Sequence, residues 1–293
     1  MKIAVLLLCH KNPNQINLFI NQMQHESIDI FIHVDKKSNI IDKIENRNNV
    51  FILPDEKRID VGWASISQVK ATHNLILFAR KKYDYDYYWL CSGQDFPLKS
   101  CATIVKTLSQ NDGNYINLFE SRHNGASHSN NYDKRNDVYY SDVLMGREKW
   151  KSIVRRFYVA VTGGYNFTLP IFRRQYKNFK FYFGSQWWCI NKHTMNWIIE
   201  YEKKNKDYFH YFSHCSTPDE SYYHTLVMNS PYALNRKDYL HHIIWPKGEP
   251  SPKTLEVSDK DLLLSSEKLM ARKFDINIDS KVVELIIDSI KER

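Results

Sequence analysis

The chain has 293 residues, a formal net charge of +8, and a composition that is 43% hydrophobic and 14% aromatic. That content excludes a disordered chain and supplies a sizeable core, for one large domain or two small ones. The charge calls for an anionic partner and leaves nucleic acid, a membrane surface and a phosphorylated small molecule as the classes to weigh.

The first 120 residues alternate between strand and helix patterns. The run IAVLLL (3–8) has strand length and is followed by HKNPNQINLFINQMQ, where Ile16, Phe19, Ile20 and Met23 recur at helical spacing, Asn12 caps and Pro13 opens the helix. IDIFIHVD (28–35) and NVFIL (49–53) read as the second and third strands, and SISQVKATHNLILFARKKY (65–83) as a long amphipathic helix. YYWLCS (87–92) and NYINLF (114–119) supply a fourth and a fifth strand. Such alternation implies an α/β fold with a doubly wound, mainly parallel sheet, whose ligands bind beyond the carboxyl ends of the strands. That rule nominates His10 and Lys11 after the first strand, Asp35 after the second and SGQD (92–95) after the fourth. Neither a dinucleotide fingerprint nor a P-loop is present, so a nucleotide would be held differently.

From 120 to 183 the sequence turns irregular, polar and basic. Within it, GREKWKSIVRRFYVAV places Trp150, Ile153, Val154 and Phe157 on one side of a helix and Lys149, Arg155 and Arg156 on others. A solvated helix face is the first reading of such a pattern, and docking on a membrane surface the second. Order resumes with GSQWWCI, a helix from His193 to about Lys203, a helix opened at Thr217, a strand near YLHHIIW (239–245), a helix from Ser258, then ARKFD (271–275) and a last helix from about Asp279. In CSTPDESYYHT (215–225), Thr217 reads as an N-cap, Pro218 as the first helical residue and Glu220 as the partner closing a capping box. The longest apolar run, Ile3 to Cys9, is far short of the roughly 20 residues a membrane span needs, and it lacks signal-peptide flanks. Five cysteines without C-x-x-C spacing read as reduced, mostly buried thiols of a cytosolic protein.

Taken in order, LLLCHKNPNQINLFI, IFIHVDKKS, VGWASISQVKATHNL, YYWLCSGQDFPLKS, GSQWWCI, TPDESYYHTLVMNS and ARKFD resemble the core-2/I-branching β-1,6-N-acetylglucosaminyltransferases and the related protein O-xylosyltransferases. The resemblance implies a single GT-A domain over 1–293. Residues 1–119 would form its nucleotide-binding half, 120–183 an irregular basic insert and 184–293 the acceptor and catalytic half. It also implies a UDP-sugar donor, inversion at the anomeric carbon, and no metal ion or other cofactor. Metal-using GT-A enzymes carry Asp-x-Asp where the fourth strand ends, to bind a divalent cation. Here that end, SGQD, has one acid, while DYD (84–86) precedes its strand and DKD (259–261) sits where a helix begins, as capping would.

The resemblance also assigns residues. Lys273 of ARKFD matches the diphosphate-binding lysine, and Lys253 of SPKTL stands for its basic companion; fixed cations of this kind neutralise a departing diphosphate. Glu220 matches the catalytic carboxylate, the base that takes the acceptor's proton. Since capping would compete for that side chain, Asp219 or Thr217 is expected to serve the helix end. Asp35 resembles a uridine-contacting acid, with His10 in the adjoining loop. Asp95 is expected to bond the donor sugar, to order its loop or to cap the turn before Pro97. Trp245 matches an acceptor-side tryptophan, and Gln186, Trp187 and Trp188 line the pocket, one of the two rings packing in the core.

The expected activity is metal-independent, inverting transfer of N-acetylglucosamine from its UDP donor to a hydroxyl of a glycan, of the β-1,6 branching type, with xylose as the alternative donor. Because the chain begins almost at its first strand, a bacterial-type, cytoplasmic member is expected, acting on a glycan or lipid-linked glycan and peripheral at the inner face of the membrane. Two rival readings are a basic nucleic-acid-binding protein, which would need a basic stripe interleaved with aromatics, and a non-catalytic glycan binder. The matching blocks gather at strand ends instead, which argues against nucleic acid, and Glu220 and Lys273 are both retained, which argues against a lost activity.

Overall fold

The computed structural model describes residues 1–119, 132–141, 145–146, 148–161, 174–246, 249 and 251–291. Its strands are β1 (Ile3–Cys9), β2 (Ile28–Val34), β3 (Val50–Ile52), β4 (Tyr87–Ser92), β5 (Asp95–Pro97), β6 (Asn114–Ile116), β7 (Trp188–Asn191), β8 (Arg236–Lys237), β9 (His241–Ile243) and β10 (Met270–Arg272). Its helices are α1 (Pro13–Gln22), α2 (Ile66–Lys82), α3 (Cys101–Ser109), α4 (Asp133–Asp137), α5 (Lys149–Val161), α6 (Lys192–Lys204), α7 (Lys206–Phe212), α8 (Tyr222–Met228), α9 (Lys260–Ser265) and α10 (Lys281–Lys291).

The apolar run of β1 is buried on both faces, which requires a layer of helices on each side. Ile3, Val5 and Leu7 point into a core shared with Ile16 and Phe19 of α1, Ile104 of α3 and Ile286 of α10. Ala4 and Leu6 point into a second core, shared with Val69 and Ile76 of α2, Ile198 of α6, Phe212 of α7 and Leu226 of α8. Each Val, Leu, Ile or Phe side chain among these contributes about 1.5–3 kcal/mol by leaving water.

Among the described residues the main sheet has the order β3-β2-β1-β4-β7-β6-β8. β1 pairs in parallel with β2 and β4, β2 pairs in parallel with β3, and β7 alone runs antiparallel to its two neighbours. The doubly wound, mainly parallel sheet expected from the sequence is therefore present. Connections leave β1 toward β2 on one side and β4 lies on the other, so a crevice opens at the carboxyl ends of these strands. A second sheet, β5-β10-β9, sits over that end and pairs Arg272 with both Asp95 and Ile243.

Two helix starts differ from expectation. Asn12 is left-handed (φ 54°, ψ 63°) and makes no side-chain cap; its amide instead donates to Asp275 Oδ1 at 2.8 Å. Thr217 is also left-handed (φ 54°, ψ 52°) without a cap bond, Pro218–Glu220 form only a single 3₁₀ turn, and α8 begins after Ser221. The expected capping box at Glu220 is thus not formed. Caps do form at Ser65, Ser100 and Asn191, whose side chains accept from Ser67 N, Thr103 N and Thr194 N. The expected fifth strand is shorter than NYINLF and pairs with β7 and β8 rather than with β4. The segment 120–131 and parts of 142–173 lie outside the described residues, whereas Tyr176 and Phe183 of the following stretch are buried. All five cysteines are free and buried. No described helix is long and apolar enough to cross a membrane.

Candidate active site

The crevice is a cavity lined by His10 and Lys11 after β1, Asp35 after β2, Ser92 to Gln94 after β4, and Gln186, Trp187 and Arg272. The strand-end rule therefore found His10, Lys11, Asp35 and Ser92 to Gln94 of its wall. Asp35 is almost buried: its Oδ1 accepts from Lys37 N at 3.0 Å, and Arg58 holds its loop by donating to the carbonyls of Val34 and Asp35 at 2.8 and 2.9 Å. Burial, reinforced by the charge of Lys11, lowers the pKa of His10 below its ordinary value, which favours the neutral ring near neutral pH. Lys11 is fixed by an ion pair of 2.7 Å to Asp275.

Asp95 does not line the cavity. It is fully buried in β5, where its carboxylate accepts from Ser92 N at 2.8 Å and from Arg272 Nη1 at 2.7 Å, with His241 Nε2 at 3.4 Å. Burial acts to raise its pKa, but Arg272 and His241 outweigh that and hold it below the usual carboxylate value. Of the roles expected for Asp95, ordering its loop is the one its contacts support, and contact with a donor sugar is not. Arg272, which sequence reasoning passed over, is what this acid positions. Its guanidinium also bonds Ser92 Oγ and lies over the Trp187 ring, 4.3 Å from the centroid. The signal was present in ARKFD, one residue before the lysine that was singled out.

Cys91, Asp95 and His241 offer ligand atoms within 4.8 Å of one another, and all three are buried. Asp95 there is already engaged by Arg272, and burial pushes the Cys91 thiol well above its ordinary value. The DYD acids sit at the opposite, amino-terminal edge of the sheet: Asp86 accepts from Lys2 N, and Asp84 pairs with Lys192. In DKD, Asp259 and Glu256 form a capping box.

The remaining expected residues divide. Both rings of the pair pack in the core where one was expected, Trp188 against Tyr223 and Trp187 also lining the cavity. Trp245, just past β9, is 50% exposed, as an aromatic platform would need to be. Lys253 is not in the cavity wall; it bonds Asp259 at 2.6 Å, so the companion-cation role is not supported by its position. Lys273 follows Arg272 and is half-buried, its carbonyl accepting from Leu255 N at 2.8 Å, and the wall takes Arg272 rather than Lys273.

Glu220 stands next to this wall without lining it. Its carbonyl accepts from Gly184 N at 2.9 Å, two residues before Gln186, and Thr217 N bonds Ala64 O at 3.1 Å, which ties the turn to the loop before α2. Gly184 fits because a Cβ there would meet the Asn117 carbonyl oxygen and the His224 ring, the latter at 2.6 Å. The Glu220 carboxylate is engaged by Arg135 of α4. Neither neighbour serves a helix end as expected: Asp219 is buried, and its Oδ1 has no hydrogen-bond partner among the described residues. Burial first, and the charge of Glu220 second, push the Asp219 pKa up to about 7.

Comparison with known proteins adds a family. The model of the Core-2/I-Branching enzymes matches residues 3–264. The chain belongs to the Core-2/I-branching enzyme family. Its relatives include xylosyltransferase 2 of Rattus norvegicus, 21% identical over 98% of this chain and 33% of that protein. Xylosyltransferase 1 of Homo sapiens is 21% identical over 97% of this chain and 30% of its own length, so the chain spans about a third of these relatives. Among solved structures, the bifunctional glycosyltransferase WbbM covers 99% of this chain and 49% of its own at 10% identity and a TM-score of 0.44. Mouse xyloside xylosyltransferase 1 covers 92% and 97% at 8% identity and a TM-score of 0.38. The mainly parallel, doubly wound sheet described above agrees with the α/β fold expected from the resemblance to this family.

Proposed function

We propose that this Core-2/I-branching enzyme transfers a sugar from a UDP donor to a glycan hydroxyl with inversion and without a metal ion. The observation that carries the reading is the cavity at the ends of β1, β2 and β4, where Arg272 and Lys11 line the wall and each is held by an acid. Fixed cations suit a diphosphate, because their positions are set before the negative charge develops. In this reading uridine lies toward Asp35 and His10, and the diphosphate toward Arg272, with Lys273 beside it. Trp245 offers a face for the acceptor.

Glu220 serves as the general base in this scheme. A single displacement needs one carboxylate that reaches the attacking hydroxyl, a contribution of about 10²–10⁴ in rate. For that, Arg135 must release the carboxylate when the acceptor enters. N-acetylglucosamine is the donor we propose, and the named activity of the xylosyltransferase relatives favours UDP-xylose as the second candidate.

The test is calorimetric binding and turnover of UDP-N-acetylglucosamine, UDP-xylose, UDP-galactose and UDP-glucose in EDTA, with wild type and Glu220→Gln. One donor binding without metal, and turned over by wild type alone, is the expected result. Binding that requires manganese overturns the metal-free scheme, and a fully active Glu220→Gln overturns the base.

A further inference from the structure

Helix α5 is built inside out. Trp150, Ile153, Val154, Phe157 and Val161 recur at helical spacing, and each faces solvent, with Ile153 67% and Phe157 71% exposed. An amphipathic helix in a soluble domain normally turns such a stripe inward. Here the opposite side is the one that docks. Lys151 Nζ donates to Met145 O at 3.0 Å, Arg155 Nη1 donates to Gly146 O at 3.1 Å, and Tyr158 packs on the small core of Val138, Tyr140 and Met145. The polar side is therefore committed to the protein, and the apolar side is held outward.

We propose that α5 lies flat on an anionic lipid surface, its stripe entering the boundary between headgroups and acyl chains. Charge selects this occupant. Over 148–161 the helix region carries Lys149, Lys151, Arg155 and Arg156 against the single acid Glu148, and Lys149 and Arg156 are exposed beside the apolar stripe. An apolar face bordered by cations is the pattern of an interfacial helix, whereas two copies of it brought face to face would set those cations against each other. Trp150 adds a ring of the type that settles at headgroup depth.

The placement also matters for the site. Tyr140, whose ring meets Tyr158 of α5 at 6.2 Å, belongs to the same segment as Arg135, which engages Glu220. Helix α5 and the candidate base thus both contact the segment 132–141. The inference goes beyond the proposed reaction and holds whichever sugar is transferred.

Sedimentation of the full chain with vesicles tests it, comparing phosphatidylcholine alone with phosphatidylcholine containing phosphatidylglycerol. Binding to the anionic vesicles only is expected, weakening as salt rises. Phe157→Asp, and separately Lys149→Glu with Arg156→Glu, should each reduce the affinity by about tenfold or more. Both changes lie on an exposed face, so the unfolding temperature should stay near wild type. Brominated lipid should quench fluorescence in wild type more than in Trp150→Phe, which shows that this ring enters. Equal binding to neutral vesicles overturns the charge selection. Absent vesicle binding overturns the proposal, whether sedimentation then shows a dimer that Phe157→Asp dissolves or acrylamide fails to reach Trp150 because the chain itself covers it.

Discussion

Arg272 and Asp95 face each other across the β5–β10 ladder, with Arg272 Nη1 2.7 Å from Asp95 Oδ1. The acid is fully buried and the guanidinium reaches the cavity, so the pair fixes a cation at the wall before any ligand arrives. An anion binding there is spared the cost of ordering that side chain. Asp95→Asn keeps the size but removes the charge, and UDP affinity measured by calorimetry should fall about tenfold. Arg272→Lys should fall as far, because a lysine cannot span Asp95, Ser92 and a phosphate with one ammonium. Unchanged UDP affinity in Asp95→Asn would mean that the pair serves the fold alone.

Gly184 is held between the Asn117 carbonyl and the His224 ring, with its N–H on the Glu220 carbonyl. Gly184→Ala has no room for its methyl group, and relieving the overlap means displacing backbone. A loss of about 1–3 kcal/mol is expected, read as an unfolding midpoint lower by several degrees. Because the same strand entry carries Gln186 and Trp187 to the cavity, UDP affinity should drop as well. A melt and a UDP titration that both match wild type would show that the loop shifts freely.

The sequence carried the sheet well and the site unevenly, for reasons of range. Long patterns such as Ile3–Cys9 and Ile66–Lys82 announce themselves, and the ends of their strands led to His10, Lys11 and Asp35. Asn-Pro and Thr-Pro look like helix starts, yet Asn12 is drawn to Asp275, 263 residues away, a competition invisible in a local window. The second sheet is made of three-residue strands, too short for periodicity, so the pairing of Asp95 with Arg272, 177 residues apart, could not be read. Arg135 lay in a stretch that looked irregular, and nothing local to it names Glu220 as its partner. For α5 the periodicity defined an apolar face but left open where it points, since a local pattern carries no information about which side packs, and that face is exposed.

Arg135 and Glu220 are both partly exposed, so the ion pair between them adds at most about 1 kcal/mol to stability. Arg135→Met should therefore unfold near the wild-type temperature. If Glu220 is the base, Arg135→Met and Glu220→Gln part in activity: the first frees the carboxylate and keeps transfer within about tenfold of wild type, and the second loses about 10²-fold or more. Initial rates with the donor identified by binding decide between them. Equal losses in both variants would mean that the intact pair, and not the carboxylate alone, is what transfer requires.

Asp219 supplies a pH test of the same turn. Its carboxyl is buried, and burial together with the charge of Glu220 raises its pKa from 3.8 to about 7. The folded state then holds a proton that the unfolded state gives up, so the stabilisation is complete below about pH 4 and is lost as pH rises through 7. Asp219→Asn cannot ionise. Its unfolding midpoint should exceed that of wild type above pH 7, by a difference worth a few kcal/mol, and the gap should close toward pH 4. His33 and His224, lowered by burial to about 4 and about 3, weaken the fold in the opposite sense as pH falls below 6.5. Those histidines are common to both proteins and cancel in the difference. Glu220→Gln removes the second cause of the shift, so the loss should then end at a lower pH and be smaller in total than in wild type. Thermal melts from pH 4 to 8 measure all three proteins, and a gap that does not change with pH would mean that Asp219 ionises as freely when folded as when unfolded.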